Sequence, residues 1–130
     1  MAGKPSRPLS PHLGIYKWGP HMLVSILHRI TGVGLVFVGG AALVWWLFAA
    51  ASGPEAYAWF LDCADEWYGI VVWVGLSWAL IEHTLSGLRH FVMDAGAGFE
   101  LSTNKRWAVL TLLASILLTG LLWAYIVMVR

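Results

Sequence analysis

The chain has 130 residues, 59% of them hydrophobic and 12% charged, with a formal net charge of +1 and a mean hydropathy of +0.72. A soluble core of that size cannot hide so much apolar surface, so the composition argues against a water-soluble domain and for a bilayer protein. The small net charge argues against a nucleic-acid partner, and the lone Cys63 can form neither an internal disulfide nor a thiol metal site.

Residues 1–22 hold four prolines and three basic residues, without the continuous apolar stretch of a secretory signal. They are also too short and too poor in Arg and Ser for a mitochondrial presequence. The prolines favour an extended segment on the cytoplasmic membrane surface. The first spanning helix is expected over about 23–51, its stretch 30–51 being free of charge. The connecting loop, 52–66, has no Lys or Arg and four acids (Glu55, Asp62, Asp65, Glu66). A second span follows over about 67–93, interrupted by Glu82 and His83. A short polar loop, 94–106, leads to a third span over about 107–129, with Ser102, Thr103 or Asn104 as its candidate cap. Each apolar stretch is long enough to cross roughly 30 Å of hydrocarbon.

The whole reads as one all-α, three-helix integral membrane domain, 1–130. Lys4, Arg7, Lys17 and Arg29 lie before or at the start of the first span, and Arg89, Lys105 and Arg106 lie at or in the second loop. The positive-inside rule therefore predicts a cytoplasmic N-terminus and a periplasmic C-terminus. Trp45, Trp46, Trp67 and Trp123 suit the outer interfacial belt, and Trp18 and Trp107 the inner.

Polar groups at membrane depth are costly and mark candidate sites. Ser25, His28, Arg29 and Gly32, in SILHRITG (25–32), recur at i, i+3, i+4 and i+7 and share a helix face, which Gly39 extends. Arg29 alone suits snorkelling to headgroups. With a hydroxyl and an imidazole on its stripe it also suits an inward pocket donating to carboxylates or a quinone carbonyl. On the second span His83, Gly87, His90 and Asp94 share a face at i, i+4, i+7 and i+11. His83 falls about 16 Å along the axis from Asp94. It is a candidate axial haem ligand, with Gly87 leaving room for the porphyrin; the alternative is a helix–helix hydrogen bonder. His90 suits either a haem propionate or a headgroup. Glu82 lies off the Gly87 face and is expected to meet a polar partner that the spacing does not name.

Because the two spans run antiparallel, His28 and Arg29 are expected to sit shallower than His83, so that propionates of a haem on His83 point towards them. A second axial ligand is expected from another membrane subunit, since three helices are few to enclose a macrocycle.

RPLSPHLGIY (7–16), SILHRITG (25–32) and HTLSGLRHFVMD (83–94) together resemble the cytochrome b membrane-anchor subunit of succinate dehydrogenase, respiratory complex II. The third span matches mainly in hydropathy and position. The resemblance implies one haem b shared with a second small anchor, with His83 as the iron ligand and His28 and Arg29 near the propionates. Ser25 and Arg29 match positions at the ubiquinone site. Flavoprotein and iron–sulfur partners, carrying FAD and iron–sulfur clusters, would oxidise succinate and pass electrons to ubiquinone, as part of aerobic respiration and the tricarboxylic acid cycle. The early start of the RPLSPH motif favours a bacterial inner membrane over the mitochondrial one. A fumarate reductase anchor and a haem-free quinone-binding anchor are the competing readings.

Overall fold

A computed structural model describes residues 12, 14, 15 and 17–129 of the chain. The proline-rich motif expected on the membrane surface lies mostly outside them. The described residues form helices and connecting turns, with no strand among them.

The first helical run, Pro20–Ser52, starts three residues before the expected position. Pro20 occupies the first turn, where a missing N–H breaks no intrahelical bond. The run comprises α1 (Pro20–Gly34), a π turn (Leu35–Gly39) and α2 (Gly40–Ser52). The spacing alone suggests an uninterrupted α-helix. The π turn instead adds a residue to one turn, so the faces of α2 are rotated relative to those of α1.

The acidic loop contains a helix that its charge pattern obscured, α3 (Pro54–Asp65). Gly53, at φ 108°, turns the chain, and Pro54 and Glu55 open the new helix in favourable first-turn positions. Tyr57, Phe60, Leu61 and Ala64 recur at i, i+3, i+4 and i+7, and Phe60 is buried. Its ring meets Trp45 edge-on at 4.9 Å and Trp73 at 6.3 Å, tying α3 to the neighbouring spans. Then α4 (Trp67–Asp94) begins almost at once. Gly69 permits that sharp entry, because a Cβ there would clash with the Cys63 carbonyl oxygen.

The last helix, α5 (Leu101–Val129), begins six residues before the position that hydropathy suggests. Hydropathy marks where the apolar stretch starts, whereas the helix already includes the polar turn before it. Ser102, Thr103 and Asn104 consequently lie inside the helix and do not cap it. The Asn104 amide N–H donates to the Glu100 carbonyl (2.8 Å), and its side chain reaches across the bundle.

The three long runs, Pro20–Ser52, α4 and α5, are each long and apolar enough to cross a membrane. They pack against one another with small and polar groups inside and large apolar groups outside. On α5 the buried positions are Ala108, Thr111, Ser115 and Thr119, a stripe that lets backbones approach closely. Each hydroxyl of that stripe donates to a carbonyl of its own helix. The Trp78 indole donates to Ser115 Oγ (3.2 Å), joining α4 to α5. Phe37, Phe48, Leu117 and many others point outward, as a lipid solvent favours.

Candidate functional site: a histidine pocket between the first span and α4

One residue of α1, His28, and three of α4, His83, Gly87 and His90, build the centre of the site. The rings of His28 and His83 stack with centroids 3.9 Å apart and planes 9° from parallel. His90, two turns from His83, tilts towards His28 at 5.3 Å. His28, His83, Gly87 and His90 line a pocket of about 380 Å³ together with Thr84, Leu88 and Phe91. Leu88 and Phe91 are 54% and 71% exposed, so the pocket opens at the outer surface of the bundle.

The stacking brings the His28 and His83 rings close together, so any difference in depth between them is at most 3.9 Å. Because α1 begins at Pro20, His28 lies eight residues inside the helix, about 12 Å from its start, and not at its entrance.

The chemistry of His83 is set by what its Nδ1 meets. That nitrogen lies 3.0 Å from the main-chain oxygen of His28 and 3.2 Å from Thr31 Oγ1. A carbonyl oxygen can only accept, so the neutral ring carries its proton on Nδ1 and keeps its lone pair on Nε2. An imidazole in that tautomer, backed by a carbonyl, is the arrangement used by metal-ligating histidines.

Glu82 is fully buried, and its polar partner is Thr31, whose hydroxyl lies 3.2 Å from Oε2. Spacing on α4 alone had no means of naming this partner, which sits on another helix. Thr31 itself follows His28 by three residues, an i+3 relation that places it on the same side of α1.

Other expected residues separate. Arg29 is exposed and Ser25 half-buried, and neither lines the histidine pocket. Asp94 ends α4 in an exposed position. Gly39, at the end of the π turn, comes near α4, a Cβ there lying 3.6 Å from the Leu76 side chain. Arg89, counted in the sequence as a loop-flanking cation, is only 7% exposed and donates through Nη2 to Asn104 Oδ1 (2.5 Å).

The pocket residues fit a haem on two observations. Nδ1 of His28 is buried and, among the described residues, has no hydrogen-bond partner, as a donor awaiting a carboxylate would be. Gly87 leaves its side of the pocket open, a Cβ there meeting only the His28 ring at 3.7 Å.

Residues 3–122 match the protein family described as succinate dehydrogenase/fumarate reductase transmembrane subunit. The chain is 40% identical over 120 residues to the succinate dehydrogenase cytochrome b556 subunit of Paracoccus denitrificans, covering 89% of this chain and 88% of that one. The subunit of the same name from Rickettsia felis is 38% identical, with 90% of each chain covered. The mitochondrial succinate dehydrogenase cytochrome b560 subunit of Sus scrofa is 30% identical over 86% of this chain and 67% of its own. With three membrane-length helices and a family match over most of its length, the chain belongs to the transmembrane subunits of succinate dehydrogenase/fumarate reductase.

Proposed function

We propose that the chain anchors a succinate:quinone oxidoreductase in a bacterial inner membrane and, with a second small anchor subunit, holds haem b and forms the site of ubiquinone reduction. The observation that carries this reading is the contact of His83 Nδ1 with the His28 carbonyl, which leaves Nε2 free to ligate iron beside an open pocket. The half-open pocket suits completion by another membrane subunit carrying the second axial ligand. Electrons would arrive from the iron–sulfur partner, after a flavoprotein bearing FAD has oxidised succinate.

When bound, haem b would supply a one-electron redox centre. The chain's own residues do the holding. His83 would ligate the iron and His28 would donate from Nδ1 to a propionate, with His90 beside it in the pocket and Arg29, outside the pocket lining, adding positive charge nearby on α1. Ser25 hydrogen-bonds a quinone oxygen, and Arg29 stabilises the negative charge that develops as the ring is reduced. The exposure of Arg29 suits a quinone site shared with partner subunits. The basic residues near the ends of α4 and α5 support a cytoplasmic N-terminus and a periplasmic C-terminus.

The test is His83→Leu in the purified complex. Its dithionite-reduced spectrum should lose the haem b band, while succinate oxidation with an artificial acceptor persists. An undiminished haem content removes the ligand role. A wild-type complex with no haem b band favours the haem-free anchor. The co-purifying flavoprotein and the direction of flux distinguish succinate dehydrogenase from fumarate reductase.

A further inference from the structure

We infer that Thr31 and Gly32 are positioning residues for His83: one supplies a fixed hydroxyl, the other an absent side chain, and together they hold the imidazole in one orientation and one tautomer. The inference rests on His83 being the axial ligand proposed above.

The argument starts from a single hydroxyl with four polar neighbours. Thr31 Oγ1 lies 2.8 Å from the Leu27 oxygen, 3.1 Å from the His28 oxygen, 3.2 Å from Glu82 Oε2 and 3.2 Å from His83 Nδ1. It has one hydrogen to donate and two lone pairs. Nδ1–H of His83 is already committed to donating by its contact with the His28 carbonyl. Thr31 is therefore a second acceptor for that proton, and its own hydrogen points to Leu27 O, His28 O or Glu82 Oε2. A β-branched threonine in a helix has few rotamers, and this one is 3% exposed, so its oxygen is a fixed post.

Gly32 sets the opposite limit. A Cβ at this position would lie 2.8 Å from His83 Cε1 and 3.4 Å from Nδ1, closer than an unmoved ring allows. The His28 carbonyl, the Thr31 hydroxyl and the gap at Gly32 follow one another at i, i+3 and i+4. A single turn of α1 thus determines where the ring lies and which nitrogen remains free. A purely structural Thr31 would serve only to satisfy Glu82 and would leave the electronic character of the ligand unchanged.

The experiment uses the intact complex carrying Thr31→Val, Thr31→Ser or Gly32→Ala, with His83→Leu as reference. Thr31→Val keeps the shape and removes the hydroxyl. It should assemble, retain haem about tenfold less tightly during washing, and shift the low-temperature EPR signal of the haem. Thr31→Ser should restore both properties. Gly32→Ala should shift the same signal by displacing the ring, and it serves as the deciding variant if Thr31→Val does not assemble. Loss of haem in His83→Leu, with Thr31→Val or Gly32→Ala unchanged in retention and EPR, overturns the positioning role alone. Full haem in His83→Leu overturns the ligand reading and this inference with it.

Discussion

Among single residues, the contrast between Arg29 and Arg89 shows how side chains of the same type diverge. Arg29 is exposed on α1, whereas Arg89 is buried against α5, where Asn104 accepts from its Nη2 and no described partner meets its Nε. Removing Asn104 would leave a buried guanidinium with one fewer acceptor, a loss of about 2 kcal/mol. Asn104→Ala should therefore lower the thermal denaturation midpoint of the detergent-solubilised complex, and Asn104→Asp should recover it by retaining the acceptor. Arg29 is expected to matter differently. Arg29→Leu, and to a smaller degree Ser25→Ala, should lower ubiquinone reduction roughly tenfold, the scale of one lost charge-assisted hydrogen bond. Dye reduction by the soluble subunits should be nearly unchanged. Equal losses in the two assays would point to failed assembly.

Among helices, the interior depends on small side chains, and enlarging them should be costly. Ala108 is fully buried on the α5 stripe, so Ala108→Leu overpacks the bundle by about 1–3 kcal/mol. Its heat denaturation in detergent should shift well below that of Val109→Leu, an enlargement at the exposed neighbouring position. The turn between α3 and α4 is equally constrained. Gly69→Ala places a methyl against the main-chain oxygens of Cys63 and Ala64, which cannot rotate away as a side chain would. A lower yield of assembled complex is the expected outcome, and an unchanged yield would show that the turn can open. Both constraints had some trace in the sequence. Positions 108, 111, 115 and 119 are small and helically spaced, and Pro54–Glu55 is a helix-start signal. Hydropathy was the wrong property for finding either, because it averages over faces and counts acids as loop.

For the whole molecule, the outward apolar surface and the pocket open at the bundle's outer face, with His83 as the candidate axial ligand, suit the proposed centre completed by a second anchor. The chain produced alone in membranes should hold haem b poorly, and co-expression with the proposed second anchor should raise the haem b absorbance per chain severalfold. Full haem content in the isolated chain would show that it supplies both ligands. A reporter fused at the C-terminus should score as periplasmic, and one inserted in the 95–100 loop as cytoplasmic. The reverse result would overturn the orientation drawn from the basic residues.

The sequence by itself determined the class of this protein. Three apolar stretches of bilayer length, interrupted by a few histidines and basic residues, admit only a helical membrane bundle, because backbone groups in hydrocarbon must bond within their own helix. It also singled out His28 on a face of the first helix and His83, Gly87 and His90 on one face of the second. Tertiary structure alone decided the relations between helices. It stacked His28 on His83, matched Glu82 to Thr31 and turned Arg89 inward to Asn104. Those outcomes depend on where each helix starts and how far it slides and rotates against its neighbours. A periodic pattern constrains a face of one helix but contains no measure of its axial offset from another.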